Sequence, residues 1–282
     1  MPELPEVEHL RRSLEPCLLG RRVLAVTLSR ADTADTHDHR PPSPDDLLLH
    51  QHVRGTRRHG KQLAILGDLG LLRFGLGMTG SLLVLRESPL PPHAHITWSL
   101  DDGSTLAFVD PRRFGSLTTH PDAASLDHHW RSSLGPDALS IRAAALHTGL
   151  ADRNASVKAL LLDQRLLAGV GNIYADEALF LARLHPSRPG VSLTPSDTDR
   201  LARAIRSVLR TAIARGGSSI RTYRDALGLE GSNQHFLRIY AHGGEPCPSC
   251  HSTLASARIA QRTTTWCPAC QPASSLQRRK RT

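Results

Sequence analysis

The chain has 282 residues, 39% of them apolar, enough for a real core in about two domains plus a small module. Lys and Arg number 35 against 26 Asp and Glu, and the net charge of +9 suits nucleic acid, although a merely basic surface has the same composition. No apolar run approaches the roughly 18 residues of a membrane span, and an N-terminus charged within three residues is no secretory signal, so a cytoplasmic, reducing compartment is expected.

The first residues read MPELPE. If Met1 is removed, Pro2 carries a free secondary amine, and an α-amino group titrating near ~8 is partly neutral and nucleophilic at neutral pH. Glu3 and Glu6 follow within one turn and can move protons around an electrophilic carbon. The same hexamer also suits an ordinary helix start, with Pro in the first turn and acids at the positive end of the dipole. That dipole disfavours the ammonium form of Pro2, whereas the nearby carboxylates favour it.

Leu4, Val7, Leu10 and Leu14 recur at helical spacing, with Gly20 as a stop. Residues 31–47 are rich in Pro, Asp and His and read as a surface loop. From about 48 to 120, short apolar runs (QLAILGDL, LLRFGL, SLLVLRE, HAHITWSL, STLAFVD) predict an antiparallel β-sandwich. LGPDALS over 134–140 reads as a linker, and helical patterns fill about 141–215. Residues 216–236 hold four glycines and little periodicity, and read as a mobile loop. The expected class is therefore α+β, with an N-terminal sandwich domain over 1–133, a helical domain over 134–236 and a terminal module over 237–271. The tail, 272–282, ends in QRRKRT.

Cys247, Cys250, Cys267 and Cys270 form two CxxC pairs separated by 16 residues. Four thiolates so spaced wrap one tetrahedral zinc, and with every ligand position used the metal is structural. Two disulfides, or a redox CxxC, are the rival uses, disfavoured in a reducing compartment. Cys17, in LEPCLL, reads as a small buried hydrophobe.

MPELPEVE, RRHGKQL, LGMTGSL, DPRRFG, LLDQRLLAGVGNIYADEALF and the terminal CxxC…CxxC follow one another in order. Together they resemble the bacterial formamidopyrimidine-DNA glycosylase family, from residue 2 to about 271. The resemblance implies excision of 8-oxoguanine and ring-opened purines from damaged double-stranded DNA by a monomer that flips the lesion out of the stack. It implies a Schiff base on Pro2, proton donation by Glu3, and strand cleavage by β- and δ-elimination, with Glu6 orienting the N-terminus. Lys61 corresponds to the family's proton donor in β-elimination. Arg262 matches the zinc-module arginine that grips the lesion's phosphates and is linked to δ-elimination.

Met78, Arg112 and Phe114 align with the residues that fill the void left by flipping. Met78 and Phe114 also suit core packing, but each stands beside glycines in an expected turn. His93 and Arg153 align with DNA contacts, and Asn172, near the start of a helix after GVG, belongs to a helix–two-turns–helix element whose exposed N–H groups suit phosphate; N-capping alone explains the same residues. Arg113 and Lys158 are further basic residues in these motifs.

Three departures stand out. Gly75 replaces the family's usual His, Ser218-Ser219 replaces a Thr pair, and Ala241-His242-Gly243 replaces Gly-Arg-Lys. The last two flank the loop that covers the flipped base in the family, so base preference is the open point. The rivals are an endonuclease VIII-type glycosylase for oxidised pyrimidines, with the same chemistry and fold, and a non-catalytic zinc-bearing DNA-binding protein.

Overall fold

The computed structural model describes residues 1–86, 89–220 and 222–273. They divide into two compact units, the first made of Met1–Ser133 with Ile213–Gln234, the second of Leu134–Ala212 with the chain from His235 onward.

In the first unit, helix α1 (Leu4–Leu18) buries Val7, Leu10, Leu14 and Leu18 on one stripe, as its periodicity requires. Gly20, at φ +76°, reverses the chain after it. Nine strands follow: β1 (Val23–Leu28), β2 (Ala34–Thr36), β3 (Gly55–His59), β4 (Gln62–Leu66), β5 (Leu71–Gly75), β6 (Ser81–Leu85), β7 (Ala94–Leu100), β8 (Thr105–Val109) and β9 (Ser116–His120). One sheet runs β1-β7-β8-β6 and the other β2-β9-β5-β4-β3. Inward side chains of both sheets and α1 share one core, in which Phe74 meets Trp98 and Phe108 edge to face at 6.0 and 5.6 Å. Helix α2 (Ala123–Ser133) buries Leu126 and Trp130, and the Trp130 indole N–H donates to Gln62 on β4.

The sandwich is as expected, with three differences. Strands β2 (ADT), β3 (GTRRH) and β9 (SLTTH) carry too few apolar residues to stand out in the sequence, and β1 (VLAVTL), though apolar, precedes the 48–120 region where strands are expected. β2 pairs with β9 in parallel, so the second sheet is mixed. Residues 31–47 are more than a surface loop: they supply β2, the buried Ala34, Thr36 and Leu47, and the carbonyl of Leu47 that takes the Trp98 indole N–H at 2.8 Å.

In the second unit, α3 (Ala143–Leu150), α4 (Val157–Leu162), α5 (Asn172–Leu181) and α6 (Pro195–Ala214) follow the expected helical region, and α6 continues into the first unit. Thr194 and Asp197 exchange side-chain and backbone hydrogen bonds around Pro195, a capping box with proline in the first turn of α6. The 134–140 segment is built in rather than a free linker: Asp137 pairs with Ala168, and Ala138 is fully buried. The hairpin β10 (Ala255–Ile259) and β11 (Arg262–Trp266) completes the unit.

Residues 213–234 belong with the sandwich, not with the helical domain where the sequence put them. The Ser218 N–H donates to Glu6, the Ala226 N–H to Ser13 on α1, and the Val84 N–H to the Ala226 carbonyl, an attachment that no local pattern encodes. Of the basic tail over 272–282, all but the first two residues lie outside the described residues. No described helix is long and apolar enough to cross a membrane.

Candidate active site and its supports

Pro2 is buried just ahead of α1, and Glu3, 3% exposed, takes the N-cap position in an extended conformation (φ −100°, ψ −174°). Pro5 lies in the first turn, where its missing N–H costs nothing. Glu6 is 2% exposed and fully engaged: Oε2 accepts the Glu3 N–H and Oε1 the Ser218 N–H, both at 2.8 Å. The latter bond clamps the 216–234 segment onto the helix start. That segment also closes on itself, with Asn233 donating to Ser218 Oγ, Gly231 to Ser219 Oγ, and Leu227 and Leu229 to the Asp225 carboxylate. Gly217 sits at φ +77°, and a Cβ there would meet Glu6 at 3.1 Å, so only glycine fits against the clamp. With Met1 attached the Pro2 nitrogen is an amide; the helix start becomes nucleophilic once that residue is removed.

Lys61 lies in the two-residue turn Gly60–Lys61 that joins β3 to β4, with Gly60 at φ +57° as the first central residue. The turn is tied to the Pro2-bearing helix through Arg58, which donates to Glu8 at 3.0 Å and to the Gly60 carbonyl at 2.9 Å. Glu8 also takes Arg11 and Arg12. Burial favours its neutral acid, but these guanidinium hydrogen bonds and the charge of Arg58 outweigh it and pull the carboxyl down to about 2.

Met78, Arg112 and Phe114 come together on one knob built around Asp110, which is 1% exposed. Its carboxylate accepts from Thr79 Oγ1 and from the Arg112 and Gly115 N–H groups. Gly77, at φ +56°, lets the 76–80 loop touch the Phe114 backbone; a Cβ there would lie 2.3 Å from the Phe114 carbonyl oxygen. Phe114 is 58% exposed, unlike a core residue, and the Arg112 guanidinium lies 4.8 Å over its ring. Met78 is half-buried. His93 is exposed beside the knob, its carbonyl accepting the Asp110 N–H, and Arg113 approaches Asp32 at 3.9 Å. At Gly75, Ser116 Oγ lies 3.0 Å from where a Cβ would stand.

In the second unit Arg262 is exposed at the start of β11, directly after the hairpin tip. The tip residues Ala260 and Gln261 have φ +50° and +57°, the double left-handed pattern of a type I′ turn. Asn172 is the first helical residue of α5 rather than its cap, which is Gly171. Its Nδ2 donates to the Thr263 carbonyl next to Arg262, at 3.1 Å. Lys158 is no surface cation: it is fully buried, 2.6 Å from Asp176, and donates to Thr264 Oγ1 at 2.7 Å. Asp176 in turn accepts the Thr265 N–H. Glu177 accepts the N–H groups of Arg238, Ile239 and Tyr240 at the entry to the zinc module. Arg153 is exposed in the loop between α3 and α4.

The four cysteine sulfurs lie within 4.8 Å of one another, the packing of four thiolates around one tetrahedral ion. The Ser249 and Cys270 N–H groups point at the Cys247 and Cys267 sulfurs, as in thiolate-stabilising turns. Cys247 and Cys267 are buried against Phe180, Ile239 and Leu254, so the metal centre closes its own small core. At Gly243, a Cβ would stand 2.7 Å from Ser256, which accounts for glycine at that departure.

The supporting residues Glu8, Arg58, Asp110, Asp176 and Glu177 did not stand out in the sequence. Their only trace is a charged residue beside or within an apolar stretch, which is common on solvated faces as well.

Three family profiles match the chain: "Formamidopyrimidine-DNA glycosylase N-terminal domain" over residues 1–117, "Formamidopyrimidine-DNA glycosylase H2TH domain" over 134–224 and "Zinc finger found in FPG and IleRS" over 244–273. The formamidopyrimidine-DNA glycosylase of Chloroflexus aurantiacus is 43% identical over 280 residues, covering 96% of this chain and 98% of that protein. The crystal structure of the MutM (FPG) protein from Thermus thermophilus superimposes with a TM-score of 0.83 at 40% identity, covering 96% of this chain and 98% of the other. The wild-type Lactococcus lactis Fpg (MutM), solved in complex with DNA containing N7-benzyl-Fapy-dG, gives a TM-score of 0.86 at 31% identity, covering 96% and 100%. With this likeness along nearly the whole length, and with the fold, the buried N-terminus and the four-cysteine zinc centre in place, the chain belongs to the formamidopyrimidine-DNA glycosylase family.

Proposed function

We propose that this chain is a bifunctional DNA glycosylase and abasic-site lyase that removes oxidised purines from double-stranded DNA, acting as a monomer in the cytoplasm, on the nucleoid. The observation that carries the reading is the buried Pro2–Glu3 pair at the head of α1, with Glu6 locking the helix start to the 216–234 segment. The Pro2 nitrogen, freed of Met1, attacks C1′ of the flipped nucleotide as the bond to the base breaks. The base leaves with that electron pair and a proton. The sugar ring then opens as the nitrogen lone pair forms the C1′=N iminium, with O4′ taking a proton for which Glu3 is the donor. The iminium acidifies the C2′ protons, so the 3′-phosphate leaves by β-elimination and the 5′-phosphate by δ-elimination. Water then hydrolyses the iminium and restores Pro2.

Lys61, held in its turn by Arg58, serves proton transfer in β-elimination. Exposed Arg262, with Asn172 bracing its strand, takes the lesion's phosphates, and His93 and Arg153 take further ones. Phe114 wedges into the stack, Arg112 faces the orphaned base and Met78 fills the space of the flipped nucleotide. The exposed Phe114 under its stacked guanidinium supports this arrangement. The zinc holds the module together and takes no part in the chemistry.

Borohydride reduction on an 8-oxoguanine:C duplex should trap one covalent adduct, and peptide mapping should place it on Pro2. An adduct on Lys61 with Pro2 unmodified, or active enzyme that retains Met1, would overturn the assignment. A thymine-glycol duplex in the same assay separates the purine reading from the endonuclease VIII-type one: faster excision of thymine glycol would favour the latter.

A further inference from the structure

The outer face of the β2-β9-β5-β4-β3 sheet carries one buried guanidinium among histidines, a cluster that the repair chemistry does not use. Arg73, on β5, is 8% exposed. One of its Nη groups donates to Thr118, its cross-strand neighbour on β9, and its Nε is buried with no protein acceptor. No described carboxylate forms an ion pair with it, and burial alone pulls its pKa down. Two residues along β9, His120 is 4% exposed. Its Nδ1 lies 3.0 Å from Ser125 Oγ on α2, and its Nε2 is buried without a partner. His129, on α2, meets the His120 ring edge to face at 5.5 Å, and exposed His37 stacks on it at 6.3 Å.

A guanidinium has five N–H donors and keeps its charge in proteins. Buried cations are found paired. The nearby acids are committed elsewhere: Asp35, opposite Thr118 on β2, faces His39 at 3.3 Å, and Asp122 accepts the Ser125 N–H. If Ser125 donates to Nδ1, neutral His120 keeps its proton on Nε2 and offers a second buried donor. In the strand register Arg73 faces Thr118 and Leu71 faces His120, so the two groups are diagonal neighbours on one face, and burial and then the charge of Arg73 hold His120 down to about 4.

We propose that Arg73, Thr118 and His120 form a binding site for one small inorganic anion beneath α2. The anion accepts from the free guanidinium edge and from His120, and supplies the countercharge that lets Arg73 stay inside. The charge of Arg73 opposes a metal ion as occupant, and among the described residues no group of His, Asp or Glu here meets metal-ligand spacing. This site is independent of the repair reaction and of its assignment.

Two measurements on the full chain test it. Crystals soaked in sodium bromide should show an anomalous peak within hydrogen-bond reach of the Arg73 guanidinium and His120 Nε2. In thermal unfolding, bromide or sulfate at constant ionic strength, balanced with bulky HEPES, should raise the Tm saturably, and R73M should lose the saturable part. Whichever of the two anions saturates at the lower concentration identifies a halide or an oxyanion site. A bromide map with no peak at Arg73, or an R73M response identical to wild type, would overturn the proposal. If R73M does not fold, the bromide map of the wild-type protein decides alone.

Discussion

Glu6 Oε1 accepts the Ser218 N–H at 2.8 Å while its other oxygen accepts the Glu3 N–H at the same distance. One buried carboxylate thus holds together two segments more than two hundred residues apart: the helix start that carries Pro2, and the first turn of the 216–234 segment. That carboxylate is therefore spent on positioning, while the Glu3 side chain accepts the Glu6 N–H in the reciprocal half of the capping box.

Glu6→Ala should therefore strand two buried N–H groups, at a cost of about 1–3 kcal/mol each. The expected outcome is a lower Tm and faster proteolysis within 216–234, with zinc content unchanged. Glu6→Gln keeps an acceptor and should recover part of the loss. Equal Tm values for wild type and Glu6→Ala would mean that the clamp contributes nothing.

The acid limb of stability should depend on Glu8. Its carboxyl titrates at about 2 in the fold against 4.5 ordinarily, because Arg11, Arg12 and Arg58 outweigh the effect of burial. A depressed folded value means that the stabilisation is present above the unfolded value and is lost as pH falls from 4.5 toward 2. With allowance for solvent around the arginines, the contribution is on the order of 2 kcal/mol. Denaturant unfolding at stepped pH should show Glu8→Gln less stable at neutral pH and flatter over that interval. An acid limb as steep as that of the wild type in the variant would place the titration elsewhere.

Arg112 should set the preference for the base opposite the lesion. A guanidinium has donors only. Cytosine presents O2 and N3 as acceptors, whereas adenine carries an amino donor beside N1. A good hydrogen-bond pair discriminates by roughly 1–3 kcal/mol, so Arg112→Ala should lower the ratio of single-turnover excision rates, 8-oxoguanine:C over 8-oxoguanine:A, by about 5- to 150-fold. An unchanged ratio would make Arg112 a spacer under Phe114.

Removing the metal should dismantle the terminal module. Cys267 is a buried member of the small core formed with Phe180, Ile239 and Leu254 as well as a thiolate ligand. Cys267→Ser should bind less than one zinc per chain and lose affinity for lesion duplex, and chelation of the wild type should do the same. Full DNA affinity in zinc-free protein would show that the module holds its shape without the ion.

The parts legible in the sequence were those written in local spacing. The α1 stripe follows from Leu4, Val7, Leu10 and Leu14, since a 3.6-residue period needs no distant partner to be read. The zinc set follows from two CxxC pairs for the same reason. The glycines around Met78 and Phe114 marked turns that present those side chains. Strands β2, β3 and β9 escaped because ADT, GTRRH and SLTTH are short and largely polar, and are held by pairing with neighbouring strands.

What the tertiary structure alone decided is which distant groups meet. Residues 216–236 read as a mobile loop of the helical domain, yet Ser218 and Ala226 within them are pinned to the sandwich through Glu6, Ser13 and Val84. Lys158, one more basic residue in a motif, is sealed against Asp176 and Thr264. Met78 and the Arg112–Phe114 pair, over thirty residues apart in the chain, share one knob because the Asp110 carboxylate gathers backbone and hydroxyl donors from both loops. Periodicity records which way a side chain faces along its own element. A buried charge finds its partner only when the chain closes, because the desolvation that makes the pairing matter does not exist before then.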